Sequence, residues 1–496
     1  MSSKSVIVIG GGLAGLSAGV ALAEAGFRVR LYEKRPHLGG RAASYVLPGG
    51  EHVDNCQHVT LGCCTNLADF YDRVGAAGKI RFYDRLVFAD STGRRGTMEA
   101  SSFAPPLHLA GSFAAFPLLD WRDKRAIGGA LVAIARSGGR PDDAEGGVSM
   151  LDWLRRRGQT ESAIARFWGV VLVSALDEEL SRTDARYGID VFWKAFLSSR
   201  SGYRVGIPSV PLGDLYGGCL AAIKRRGGEA RLRSAVRGIA VEDGRAAGVE
   251  FENGAREVAD HYIVAVPHEA LPSLLPAAVV ERHAEFRDLR RLRSSPITGV
   301  HLWLDREVMA EPFLTVVDRT TQWIFNKTLL SQSAENGAKP SNGASGAKGV
   351  DNASGKDAAN GARQYLQLVI SASYELIPRS RQEILALCWR ELCEVVPAAR
   401  DARLVKGTVI KETAATFSPE PGCDRWRPAQ TSPIANLYLA GDWTATGWPA
   451  TMEGAVRSGY LAAEAILDAA SGGGSATHRF LRPELPTEGL SRWWAG

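Results

Sequence analysis

The sequence predicts an α/β protein in which one parallel-sheet domain is interleaved with a second, α+β domain. Two observations carry that expectation. The chain opens on a strand–helix–strand unit over residues 6–34, and a strand–turn–helix unit returns near its other end, over 436–470. In the first unit Val6-Ile7-Val8-Ile9 is a β-branched apolar run, read as a strand buried on both faces. Gly10, Gly12 and Gly15 follow at G-x-G-x-x-G spacing. An Ala- and Leu-rich helix pattern covers 13–25, Gly26 stops it, and residues 28–32 form a second strand that ends at Glu33.

Each part has a physical task. Gly10 permits the tight turn off the strand, Gly12 lets a pyrophosphate approach the backbone, and Gly15 allows close helix–strand packing. The first helical turn, with Leu13 and Ala14, presents unpaired N–H groups and a positive dipole end to phosphates. Glu33 can accept hydrogen bonds from a ribose, and its charge disfavours a 2′-phosphate there. The whole constellation predicts dinucleotide binding.

Length and composition bound the remainder. The chain has 496 residues, is 45% hydrophobic and 23% charged, and carries a formal net charge of +5. That is ordinary globular composition with room for more than one domain. The slight basicity suits an anionic membrane surface and is no nucleic-acid signature, so no nucleic-acid partner is expected. The seven Cys (56, 63, 64, 219, 388, 393 and 423) form no C-x-x-C pair and no metal quartet. An odd count, with a strand already starting at Val6, points to a reducing cytoplasm and no cleavable leader. No run is apolar and long enough to read as a membrane span.

Residues 42–65 read as short strands and a loop entering the site. A helix is expected over 66–74, with Leu67, Phe70, Tyr71 and Val74 on one face, then a strand over 79–90. The 103–136 stretch mixes Phe, Leu and Trp with Arg and Lys, and 126–136 has a helix pattern. A loop over 138–147 precedes a helix capped by Ser149, and one long helical stretch is expected from 161 to 196. Strand patterns recur at 296–304 and 364–371. Between those two, residues 331–363 are rich in Gly, Ala, Ser, Asn and Lys, with almost no large apolar residue. Such a segment buries too little surface to offset its ordering entropy, so it reads as a disordered insertion without catalytic content.

The residues after Glu33 are Lys34 to Arg41, ending in Gly39-Gly40-Arg41. Near the other end NLYLAGDWT runs into Gly441-Asp442, and a helix starts at about Met452. The E-x-x-x-x-x-G-G-R and G-D patterns together resemble the flavin-containing amine oxidase and phytoene desaturase superfamily. The resemblance implies a Rossmann-like FAD-binding domain (1–75, 205–272 and 420–470) and an interleaved α+β substrate and membrane-facing domain (76–204 and 273–419). Residues 471–496 form a C-terminal tail. It implies FAD rather than NAD, contacted by Lys34, Gly39, Gly40, Arg41, Gly441 and Asp442. Val236 would meet the adenine through its backbone. Thr451, Met452 and Glu453 would aim the last helix's positive end at the flavin. No Cys lies in 440–460, so the flavin is expected to be noncovalent.

Within that superfamily, R-A-A-S-Y…D-N-C-Q-H-V-T-L-G (residues 41–62) looks like the squalene-associated branch, the hydroxysqualene dehydroxylases of bacterial hopanoid synthesis. That branch more often has Gly where this chain has Cys56, which leaves the local backbone open. The implied reaction is reductive: an allylic hydroxyl leaves as water and hydride from reduced FAD gives squalene. Asp54, Gln57 and His58, in the loop expected over the flavin, are the candidates for donating or relaying the proton. The competing reading is that they bond cofactor and backbone. Phe192, Trp193, Trp303, Trp323, Trp443 and Trp448 are candidates for a tunnel lining. The alternatives are a carotenoid-type desaturase, an amine oxidase, and a flavin-binding scaffold in a membrane complex. A C30 polyprenyl substrate implies peripheral attachment to a membrane, and squalene-synthase-like enzymes are the expected neighbours. No metal is expected.

Overall fold

The computed structural model describes residues 4–140, 147–335, 361–471 and 479–494. The opening unit folds as β1 (Ser5–Ile9), α1 (Leu13–Glu24) and β2 (Arg28–Tyr32). These strands sit in a five-stranded sheet ordered Glu229–Arg231, β2, β1, His261–Val264, Leu437–Leu439. All four pairings are parallel. Helices cover the sheet, so Val6, Ile7 and Val8 are wholly buried, as a continuous apolar strand requires. α1 is buried along nearly its whole length, because the helix Met452–Ala470 lies against it. Their closest point is Gly459, where a Cβ would stand 2.2 Å from Ser17 Oγ and 2.3 Å from Ala14 O.

A three-stranded antiparallel meander, Val236–Glu242, Arg245–Phe251 and Arg256–Glu257, follows the strand Glu229–Arg231. A second large sheet has seven strands, in the order Leu404–Phe417, Ser294–Leu304, Gln364–Ile370, Trp323–Asn326, Phe313–Val316, Leu86–Ala89 and Arg95–Met98. Its strand Ser294–Leu304 separates two environments with period two. Val300, Leu302 and Leu304 join a core with Ile384, Cys388 and Leu392 of the helix Arg381–Val395. Gly299 faces the other way, toward Asn55 O and Cys56 Sγ. The large sheet therefore presents one face to the 54–58 loop.

Several expectations are corrected. The helical stretch 161–196 is broken: the helix Val170–Leu176 ends at Asp177, whose φ is +52°, and the chain re-enters a helix only at Ala185–Val191. Two π-helical turns, Ile164–Gly169 and Phe192–Leu197, flank the break. The strand expected over 79–90 is two strands, Ile80–Tyr83 and Leu86–Ala89, which belong to different sheets. The helix expected from 126 begins at Trp121, because Asp120 and Asp123 form a capping box. The disordered insertion expected from 331 does not begin there, since the helix Lys327–Glu335 runs through that point. Residues 336–360 of the insertion, 141–146 of the predicted loop, and 472–478 and 495–496 of the tail lie outside the described residues.

Candidate cofactor and active site

The glycine turn is fixed by backbone contacts. Gly10 has φ +111°, and a Cβ there would meet Ala265 O at 2.4 Å; one on Gly15 would meet Gly10 O at 2.0 Å. At Gly12 the nearest atom to a built Cβ is Gly40 Cα at 3.9 Å. The turn is thus closed on its inner side and open where a phosphate must approach. No side chain caps the first turn of α1, and no acid lies in it. Its N–H groups, on buried Leu13 and Ala14, fit an anion supplied by a ligand. Glu33 is buried, and its carboxylate accepts from Gly11 N–H (2.7 Å) and Arg35 N–H (2.8 Å). The acid therefore braces the glycine turn as well as ending β2. Lys34 is exposed. Ser234 N–H donates to Glu33 O (2.9 Å), which brings the start of the Val236 strand beside this corner.

Gly39 and Gly40, with φ +100° and +62°, lie directly against the glycine turn: Gly39 N–H donates to Gly11 O at 2.8 Å. Arg41 then reaches across to Asp442, forming an ion pair, and to Ala415 O at 2.8 Å. The two sequence blocks, some 400 residues apart, thus meet at one pair. Gly441 has φ +155°, and a Cβ there would stand 2.2 Å from Trp443 Nε1. Thr451 caps the last helix by accepting from Gly454 N–H at 3.0 Å, and Met452 opens it. Glu453 turns away to another task. Its carboxylate accepts from Asn66 N–H (3.1 Å) and Leu67 N–H (2.7 Å), capping the helix Thr65–Arg73, whose own N-cap Cys64 supplies no side-chain bond.

Arg427 went unnoticed in the sequence. It is buried, and its guanidinium donates to the carbonyls of Asp442 (3.0 Å), Thr444 (2.6 Å) and Trp448 (2.8 Å). It also pairs with Asp424 at 3.0 Å. One side chain thereby fixes the loop that carries Asp442 to the last helix.

Asp54, Gln57 and a third residue, Lys327, form one polar cluster. Lys327 Nζ donates to Asp54 Oδ2 and Gln57 Oε1, both at 2.8 Å. Asp54 Oδ1 accepts from Ser44 Oγ (2.7 Å) and Leu212 N–H (3.0 Å). Burial alone would raise the Asp54 carboxyl, but Lys327 and these donors hold it below the ordinary range. Asp54 is therefore an ionised acceptor at neutral pH. His58 Nδ1 bonds Cys56 O at 2.9 Å; since a carbonyl can only accept, the proton sits on Nδ1. Burial pushes the His58 imidazolium down, so the ring is neutral. Cys56 is not among the residues with positive φ, so the thiol stands on ordinary backbone. Lys327 had no sequence signal; it follows the strand Trp323–Asn326.

A cavity of about 490 Å³ adjoins the last helix's N-terminus. Thr451, Met452 and Trp448 line it beside that helix, together with aromatic residues such as Phe113, Phe167 and Phe192. Of the six aromatic candidates, Phe192, Trp323 and Trp448 line it, while Trp193, Trp303 and Trp443 do not. Leu107, Val132 and Leu490 line it and are also exposed, at 48%, 49% and 37%. They mark its mouth. Phe103, Trp121 and Trp493 add exposed apolar surface on the same two stretches of chain, the 103–136 segment and the tail. These stretches meet where Leu490 N–H donates to Pro105 O at 2.9 Å.

The sequence profile described as flavin containing amine oxidoreductase matches residues 13–467. The chain is 27% identical over 480 residues to a 15-cis-phytoene desaturase of Solanum lycopersicum, covering 93% of this chain and 77% of that one. It is 28% identical over 482 residues to the 15-cis-phytoene desaturase of Synechococcus elongatus, with 93% and 95% covered. Among solved structures, an oxidoreductase from Methanosarcina mazei superposes with a TM-score of 0.69 at 19% identity, over 94% of this chain and 100% of that one. Cyclohexylamine oxidase from Brevibacterium oxydans gives 0.64 at 17%, over 95% and 100%. The likeness to these two structures is one of fold.

Proposed function

Because the chain belongs to the flavin containing amine oxidoreductase family, we propose that this FAD-dependent oxidoreductase acts on a long polyprenyl chain taken from a membrane. Its reaction in this reading is reductive removal of the allylic hydroxyl of hydroxysqualene. The observation that carries the substrate class is the cavity of about 490 Å³, whose mostly apolar lining includes both the exposed Leu107, Val132 and Leu490 and the head of the last helix. The D-N-C-Q-H block, residues 54–58, favours the dehydroxylating branch.

When bound, FAD supplies two-electron, hydride-level redox chemistry. The chain's own residues bind and orient. Gly12 and the first turn of α1 would hold the pyrophosphate, Glu33 the ribose corner, and the Arg41–Asp442 pair the stretch between phosphate and flavin. The capped N-terminus at Thr451 would favour negative charge on the flavin. The cavity wall excludes water, and Lys327 Nζ keeps Asp54 ionised beside the 54–58 loop. Among the described residues no helix is long and apolar enough to cross a membrane, so entry from a bilayer would be through the exposed rim.

Desaturation of a carotenoid precursor is the second reading, favoured by the relatives named phytoene desaturase. Incubating the purified holoprotein separately with hydroxysqualene plus a reductant and with phytoene plus an electron acceptor decides between them. Squalene in the first reaction is expected; desaturated product in the second alone reverses the assignment.

A further inference from the structure

The lining of the cavity is mostly apolar, and the few charged side chains in it are Arg166, Asp190, Lys194 and Glu453; Arg166 is paired with Asp318. Two carboxylates line it, Asp190 and Glu453. Glu453 is committed, since both of its oxygens accept from Asn66 and Leu67. Asp190 is different. Lys194, one turn on, engages its Oδ2 at 2.9 Å, and no described residue engages Oδ1. Lys194 also lines the cavity, bridges to Glu484 at 2.9 Å, and lies 4.7 Å above the Trp448 ring. The pair sits where the helix Ala185–Val191 passes into the π-helical turn Phe192–Leu197. Such turns re-aim side chains and recur at functional sites.

A charged pair in an apolar wall costs desolvation free energy, and a pure hydrocarbon offers nothing in return. An alcohol does. We propose that Asp190 and Lys194 form the subsite for the hydroxyl of an allylic polyprenyl alcohol, with Asp190 as the proton donor to the leaving oxygen. This rests on the dehydroxylase reading above and supplies the acid that Asp54 and His58 are poorly charged to be. The Asp190 proton goes to the hydroxyl oxygen, the C–O bond breaks, and water leaves with the bonding pair. Reduced FAD, when bound, would supply the hydride that the electron-poor allylic carbon needs, its two electrons balancing the loss of the hydroxyl. Asp190 is reprotonated from solvent.

The electrostatics agree. Burial pushes the Asp190 carboxyl up to about 6, against the pull of Lys194. Glu484, from the tail, adds to the rise; Arg457, from the last helix, opposes it. A carboxyl titrating at about 6 is half protonated there and keeps a protonated fraction toward neutrality, where an ordinary Asp keeps almost none; turnover should fall as pH rises through that titration.

The test uses full-length holoenzyme, reduced anaerobically and given hydroxysqualene, with squalene as the readout. Tryptophan fluorescence titrations with hydroxysqualene and with squalene run in parallel. Wild type should bind the alcohol about tenfold more tightly than the hydrocarbon. Asp190→Asn should keep FAD and bind the alcohol within about threefold, yet lose at least about a hundredfold in turnover. Lys194→Met removes the cation that lowers Asp190, so the basic limb of the pH profile should move up by about one unit. Wild-type turnover in Asp190→Asn would sink the proposal and leave the dehydroxylase reading intact. If Asp190→Asn does not hold FAD, Lys194→Met decides, and an unmoved basic limb overturns the assignment. A wild-type enzyme inert toward the alcohol overturns both.

Discussion

At the scale of single residues, the site separates into groups with and without a sequence signal. Gly10, Gly12, Gly15, Gly39, Gly40 and Gly441 were legible because backbone geometry admits few alternatives there. Arg427, Lys327 and Asp190 were not, because a lone Arg, Lys or Asp acquires meaning only from what the fold brings beside it. Arg427→Ala should cost about 3–5 kcal/mol, since it strips donors from the buried carbonyls of Asp442, Thr444 and Trp448; the denaturant midpoint measures it. Glu33→Ala should weaken FAD binding by about 1–3 kcal/mol, as Gly11 and Arg35 lose their acceptor; equilibrium dialysis against FAD measures it, and unchanged affinity would remove Glu33 from the site. His108 is wholly buried with both ring nitrogens unpartnered, and burial pushes it down to about 4. Its folded pKa lies below its unfolded one, so stability is full above about pH 6.5. Below that it is lost at about 1.4 kcal/mol per pH unit until the folded value is reached. His108→Leu should therefore raise the melting temperature, and more at pH 5 than at pH 8.

At the scale of elements, periodicity was a good guide wherever one face meets a core. The helix Thr65–Arg73 and the strands Ser294–Leu304 and Gln364–Ile370 lie within a residue or two of expectation. It misled where apolar content was continuous: residues 161–196 read as one helix, because the turn at Asp177 uses a left-handed conformation that its sequence does not announce. The close approach of α1 and the last helix gives a sharp expectation. Gly459→Val should abolish soluble, flavin-bound protein, because the contacts at 2.2 and 2.3 Å involve Ser17 and backbone on a neighbouring helix. Replacing residues 336–360 by a short Gly/Ser linker should leave turnover within about twofold, since loop closure depends weakly on length. A soluble, yellow, inactive deletion protein would show that the insertion has a role.

At the scale of the whole molecule, the two stretches of chain that lend Leu107, Val132 and Leu490 to the cavity also carry exposed Phe103, Trp121 and Trp493. Trp121 and Trp493 are 75% and 79% exposed, and aromatic rings of that kind suit the headgroup region. Wild-type protein should float with anionic liposomes. Replacing Phe103, Trp121 and Trp493 with Ser should leave it at the bottom of the gradient with its FAD content unchanged; a wild type that does not float would mean the substrate arrives on a carrier. The parallel sheet has a different consequence, in time rather than space. Its strands come from residues 5–32, 229–264 and 437–439, and the helix that covers α1 spans 452–470. During synthesis, α1 emerges early, and the side that the last helix covers stays bare until almost the whole chain has left the ribosome, even after the helix Gly217–Arg225 has packed on another side. The glycine turn can present itself to a nucleotide from the start, but Asp442 reaches Arg41 only at the end. Nascent chains halted before residue 440 should therefore recruit chaperones and take up no flavin, so that cofactor capture and completion of the fold become a single late event.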